Sequence, residues 1–168
     1  MLLATHAVIG AAAASLFPNN PILAFSAAFV SHFVVDAIPH WHYPVTSFEI
    51  DEKDSMKNDM PIKKGFFFDL IKIGADGLLG LLLSYFIFTS LKTPFWIIIL
   101  GVFGAILPDP LQFVYWKWRH EPLKTLQRFH LWIHSKKNID DKHLIGVLSQ
   151  ISVIGIVVVL FKSLMGLK

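Results

Sequence analysis

The sequence predicts an all-α membrane protein: a polytopic bundle of about five spanning helices plus one amphipathic helix lying in the interface. Three observations predict it. Hydrophobic residues make up 54% of the 168 positions and charged residues only 16%, where a soluble domain carries about 25% charged. Mean hydropathy is +0.57. The apolar residues fall in long runs separated by short proline-rich or polar segments, which reads as one integral membrane domain over 1–168.

The elements follow in order. The first helix is expected from Leu2 to Phe17; it is short and rich in alanine and glycine, so it should pack closely on its neighbours. It has no basic segment before it and no convincing cleavage site after it, so it reads as a retained helix. Pro18-Asn19-Asn20-Pro21 is a tight turn, and the second helix runs from Ile22 to Ile38, stopped by Pro39. His40 to Lys64 is a polar loop. The third helix covers Phe66 to Leu91, and Lys92-Thr93-Pro94 turns the chain. The fourth runs from Phe95 to Trp116 with a break near Pro108 and Pro110. Glu121 to Lys137 is amphipathic with Pro122 in its first turn, and the last span runs from His143 to Leu164.

Basic residues set an expected orientation. Lys53, Lys57, Lys63 and Lys64 lie in the loop 39–65, and Lys117, Arg119, Lys124, Arg128, Lys136, Lys137 and Lys142 lie in 117–142. The alternate turns hold only Lys92, so the two basic segments belong in the cytoplasm and the N-terminus with them, in an inner (plasma) membrane. Net charge of +3 beside apolar spans points to lipid headgroups as partners, and no nucleic-acid module is visible. There is no cysteine, which excludes disulfides and thiolate metal sites.

Within the expected spans stand His6, His32, Asp36, Asp69, Asp76 and Asp109, with Lys72 the basic residue among them before the last helix. An ionised aspartate at mid-span costs about 2.5–3.5 kcal/mol on insertion scales, so metal, protons or water must balance these acids. On the expected topology all of them lie in the cytoplasmic half, which points to one polar pocket opening inward.

Ser31-His32…Asp36…Pro39-His40 is the strongest local motif. His32 and Asp36 are four apart on one helical face, the spacing at which an imidazole and a carboxylate chelate one cation. The same spacing also serves a local His–Asp hydrogen bond without metal. Thr5-His6 echoes Ser31-His32, and Gly10, one turn on, would let another backbone approach. Asp69 and Asp76 lie two turns apart with Lys72 between them; Lys72 is expected to serve Asp69, leaving Asp76 with Gly77 and Gly80 as the pocket acid. Asp109 sits between two prolines, where a loosened backbone suits a cavity wall. His130 and His134 are four apart on the amphipathic helix; headgroup-level histidines are the favoured reading and a cap over the pocket the second. His42, His120 and His143 carry no informative spacing.

Thr5-His6 with Gly10, Ser31-His32 with Asp36 and Pro39-His40, and Asp76 and Asp109 in later helices resemble the bacterial membrane-bound metal-dependent hydrolases (YdjM-like). The resemblance covers most of residues 1–110. The His-Arg-Gly-x-Thr-His element of that family is matched only by Phe129-His130 and Ile133-His134-Ser135 at a different spacing, so no role is carried to His130 or His134. The resemblance implies a hydrolase without naming its substrate.

Together these readings give a metal-dependent hydrolase with His6, His32, Asp36, Asp76 and Asp109 as ligands, and with Asp76 and His40 in catalysis. The mixed His/Asp set suits zinc or manganese, with magnesium possible, and a pocket at headgroup depth suits a lipid-linked or small phosphoester. A metal or proton transporter and a non-catalytic scaffold with protonated acids are the alternatives.

Overall fold

The computed structural model describes residues 1–91, 93–136 and 141–165; Lys92 and Lys137, two of the basic residues used for orientation, lie outside them. The described chain forms seven α-helices and no strand. They are α1 (Leu3–Ser15), α2 (Pro21–Asp36), α3 (Phe66–Ser90), α4 (Phe95–Ile106), α5 (Pro108–Trp118), α6 (Leu123–Ile133) and α7 (His143–Leu164).

Apart from Thr5, His6 and Ser15, α1 is apolar all round, and a helix of that kind belongs in the middle. It is buried along nearly its whole length and packs against α2, α3, α4 and α7. Small residues make this possible. A Cβ added to Gly10 would stand 2.2 Å from Ala105 Cβ and 2.5 Å from the Gly101 carbonyl oxygen, and one added to Gly80 would stand 2.6 Å from Ala4 Cα. The backbones of α4 and α3 therefore touch α1 where no side chain fits.

Asn20 caps α2 by accepting from the Leu23 amide at 3.1 Å, and Pro21 takes the first helical position. Ala24, Ala28, His32 and Asp36 repeat every four residues on the buried face, while Ile22, Val30 and Val34 are exposed on the other. The apolar face thus runs directly into the polar pair at the helix end.

α3 and α7 are long and apolar enough to cross a membrane, and α4 with α5 makes a third candidate if the pair, bent by 42°, counts as one span. The bend falls at Leu107-Pro108, where proline removes a helical hydrogen bond. α1 and α2, at 13 and 16 residues, are shorter than the roughly 20 that a span requires. The five-span expectation is therefore met for two or three helices. The outer faces of α3 and α7, with Phe67, Phe86, Leu144 and Leu164 exposed, fit a membrane protein.

Between α2 and α3 the polar segment is folded onto the helix ends. Asp69 receives hydrogen bonds from Thr46 Oγ1 (3.0 Å), the Ser47 amide (2.7 Å) and Ser47 Oγ (2.8 Å). Lys72 pairs with Asp69 at 2.7 Å, as its spacing predicts, and also donates to the Pro44 carbonyl at 2.8 Å. Arg119, at φ 50° after α5, donates to the carbonyls of Met56, Lys57 and Asn58. Lys117 pairs with Asp59 at 2.5 Å. Burial raises the Asp59 carboxyl, but the Lys117 hydrogen bond and charge, the Met60 amide and the Arg119 charge together outweigh it and hold the group below the usual carboxylate value.

A candidate metal centre of histidines and aspartates

The helix ends bring His6 from α1, His32 and Asp36 from α2, Asp109 from α5 and His130 from α6 to one place. Asp36 is the centre. Its Oδ1 lies 3.2 Å from His6 Nε2 and 3.6 Å from His40 Nε2. Its Oδ2 lies 2.9 Å from His130 Nε2 and 3.2 Å from His32 Nε2. The α-amino group of Met1 stands farther off, 3.9 Å from Oδ1. His6, His32, Asp36 and His130 are all buried, and Asp109 is half-buried.

The ring orientations are set by backbone. His32 Nδ1 lies 2.8 Å from the Ala105 carbonyl, which only accepts, so Nδ1 carries the proton. In the neutral ring Nε2 is then a bare lone pair. It faces Asp36 Oδ2, His130 Nε2 at 3.3 Å and Asp109 Oδ1 at 3.6 Å. Acceptors crowded in this way need a cation among them, either a proton or a metal ion. His6 stacks on His32 with ring centroids 4.2 Å apart, so protonating both would set two like charges face to face. A carbonyl or carboxylate holding the far nitrogen is the usual support of a ligating histidine. Asp36 Oδ1, His6 Nδ1 and His130 Nδ1 are buried without a hydrogen-bond partner. One ligand atom from each of His6, His32 and Asp36 lies within 4.8 Å of the others, and the same holds for His32, Asp109 and His130. The donor set and the orphaned Asp36 oxygen both fit a divalent ion.

The structure distributes the expected residues unevenly. His6, His32, Asp36 and Asp109 meet. Asp76 stands outside the ligand groups: its carboxylate accepts from the Leu3 amide at 2.6 Å and the Ala4 amide at 3.3 Å. Leu2, which precedes α1, has no side chain to cap it, and Asp76 supplies the cap from α3. The Tyr43 hydroxyl donates to the same carboxylate, and burial together with Asp76 pushes that phenol's pKa up. Gln150 of α7 completes the anchoring, accepting from the Leu2 amide and Thr5 Oγ1 and donating to the Trp41 carbonyl.

His130 belongs to the centre, so the favoured headgroup reading of α6 gives way to the capping one. α6 is shorter than expected and ends at Ile133, because the Ser135 amide turns back to the Asp36 carbonyl at 2.8 Å. That bond satisfies one of α2's terminal carbonyls. It also carries His134 to His40 and His42, with ring centroids at 4.9 and 5.5 Å. His42 has a signal of its own in the sequence. Residues two apart in an extended segment share a side, and His40-Trp41-His42 follows a proline outside any helix. His40 and His134 lie outside the helices. Burial, with the α-amino group and His42, holds His40 down to about 3. Burial also lowers His134, against the pull of Asp36. Both are therefore neutral imidazoles, the form that binds metal.

No family model, curated protein or solved structure matches this chain.

Proposed function

We propose that the chain is a membrane-embedded, metal-dependent hydrolase of the bacterial YdjM-like kind, acting on a lipid-linked phosphoester. The observation that supports it most is Asp36, a buried carboxylate ringed by the Nε2 atoms of His6, His32 and His130, with His32 turned by a backbone carbonyl so that its lone pair faces inward. His6, His32, Asp36 and His130 would hold the ion, and Asp109 would complete the set from α5. Asp76 is assigned to anchoring α1. When bound, a divalent ion such as zinc or manganese acidifies water and polarises a phosphoryl or acyl oxygen.

The chain's own residues supply the rest. Pro108, Leu111, Gln112, Leu123, Leu126 and Gln127 surround His130 where α5 packs on α6, so the site borders both apolar and polar side chains there. Phe129 and Trp132 are exposed on α6, beside Lys124 and Arg128 of the same helix, a composition suited to an anionic interface. In this reading the helices make about five spans of an inner membrane, with the N-terminus and the site on the cytoplasmic side.

The test is metal analysis and phosphate release together. Wild-type protein in vesicles containing phosphatidic acid or a polyisoprenyl diphosphate should bind a divalent metal and release phosphate. Asp36→Asn should lose both while keeping its helical signal. Full metal retention in Asp36→Asn, His32→Gln and Asp109→Asn would falsify the centre. The 42° bend between α4 and α5 favours a second reading, a transporter. Metal or proton flux in sealed vesicles without phosphate release would establish that reading instead.

A further inference from the structure

His40, His42 and His134 form a second cluster beside the first. Their ligand nitrogens lie within 4.8 Å of one another. His40 Nδ1 donates to the Ile38 carbonyl at 2.6 Å and His134 Nδ1 to the Ser135 carbonyl at 3.1 Å. Each of those rings is thereby fixed with Nε2 as its free lone pair, the same backbone device that orients His32. His40 Nε2 lies 2.9 Å from His42 Nε2, so these two nitrogens share one cation or proton. His40 is buried and His42 and His134 are half-buried, which places the cluster nearer the surface than His6 and His32.

The two clusters meet at one carboxylate. Asp36 Oδ1 lies between His6 Nε2 at 3.2 Å and His40 Nε2 at 3.6 Å, while Asp36 Oδ2 faces His32 and His130. One of its oxygens therefore stands between histidines of both clusters, the position a bridging carboxylate takes. We infer that His40, His42 and His134 make a second divalent-metal site, which shares Asp36 with the first. It deepens the hydrolase reading and rests on it for the first ion only. Three imidazoles, with a carboxylate oxygen 3.6 Å from the first of them, suit a zinc-like ion, and paired ions clamp both the attacking and leaving oxygens of a phosphoryl transfer. The loop 37–65 would then be held partly by metal, since it carries two of the three imidazoles.

The experiment is metal stoichiometry on the full chain in nanodiscs, with Mn²⁺ as the probe. Wild type should bind two equivalents and give the broad resonance of an exchange-coupled pair. His42→Gln and His134→Gln should each bind one equivalent, seen as the six-line signal of an isolated ion. His6→Gln and Asp109→Asn should lose the other equivalent and leave the one that His42→Gln removes. Glutamine keeps a polar side chain at each position, and a retained helical signal with a monodisperse elution profile confirms that the variants fold. One equivalent in wild type, unchanged by His42→Gln and His134→Gln, overturns the second site and leaves the hydrolase reading standing. A His42-dependent equivalent without one dependent on His6 and Asp109 does the reverse. Two ions without coupling overturn the shared Asp36.

Discussion

Asp69 and Asp36 are both almost fully buried, one at the start of α3 and the other at the end of α2, yet they meet different partners. Asp69 is met by groups that own their protons: two hydroxyls, a backbone amide and the Lys72 ammonium. Its charge is balanced within the chain, and the result is a latch that holds 44–47 against α3. Asp36 is met by imidazole nitrogens, at least one of them committed as a bare lone pair by the Ala105 carbonyl. Its surroundings accept as much as they donate. A buried acid supplied with proton donors is structural, and a buried acid supplied with lone pairs asks for a cation.

Removing each carboxylate should separate the two roles by the widest margin. Asp69→Ala strands the Ser47 donors and Lys72 and should cost about 3 kcal/mol of stability, with metal content unchanged. Asp36→Asn keeps an oxygen and the side-chain size, and should change metal-free stability less than Asp69→Ala does. It should abolish the roughly 2.7 kcal/mol that metal at a hundredfold excess over Kd adds to the wild type. Thermal unfolding in detergent, with and without Zn²⁺, measures both; equal responses to metal would erase the distinction.

The backbone contact behind the site should come next. Gly10→Val drives a side chain into Ala105 and the Gly101 carbonyl, and overpacking of this kind costs about 1–3 kcal/mol. Because Ala105 also orients His32, the variant should bind metal more weakly, although residue 10 touches no ligand atom. Unfolding and metal titration on one sample test this, and an undisturbed metal affinity would show that α4 does not position His32.

A smaller effect is expected at Asp76. Asp76→Ala strands the Leu3 and Ala4 amides and should cost about 1–2 kcal/mol, the range for a lost helix cap, with metal binding retained. A fall in metal content would move Asp76 into the centre.

The smallest concerns Asp59 and Lys117 at the surface of the loop. The carboxyl is held below its usual value, so the folded state binds its proton less tightly than the unfolded state does. The contribution is therefore complete above about pH 4 and is lost as pH falls through the folded value. Melting temperatures of wild type and Asp59→Asn should differ at pH 6 and converge towards pH 3. A gap that persists at low pH would mean the pair is held by something other than charge.

Parts of this were legible beforehand because they are local. His32 and Asp36 share a helix face by arithmetic alone, the break at Pro108 follows from a missing N–H, and α7 spans His143–Leu164 as expected. Lys72 reaches Asp69 across a single turn. His130 and His134 could be seen as a pair but not aimed. Their target depends on the chain reversing after Ile133, which an interhelical bond from Ser135 to Asp36 decides. Asp76 shows the same limit: its depth along α3 was readable, whereas its partner, the uncapped start of α1, lies 73 residues away.

By itself the sequence determined an all-helical chain with long apolar faces, a buried small-residue first helix and a set of acids too costly to leave unbalanced in an apolar bundle. Periodicity, proline and composition act over a few residues, so these features need no knowledge of the remaining chain. Only the tertiary structure decided which acid is balanced by lysine, which caps a helix and which is ringed by imidazoles. It also decided that His42 and His134 stand beside His40, which faces Asp36. Those outcomes depend on how helices rotate and cross, and the crossings are set where Gly10, Gly80 and Gly101 let backbones touch. Hydrogen-bonding and ligand contacts reach only about 3 Å, so a rotation of one helix by a single residue would change every partner at the site.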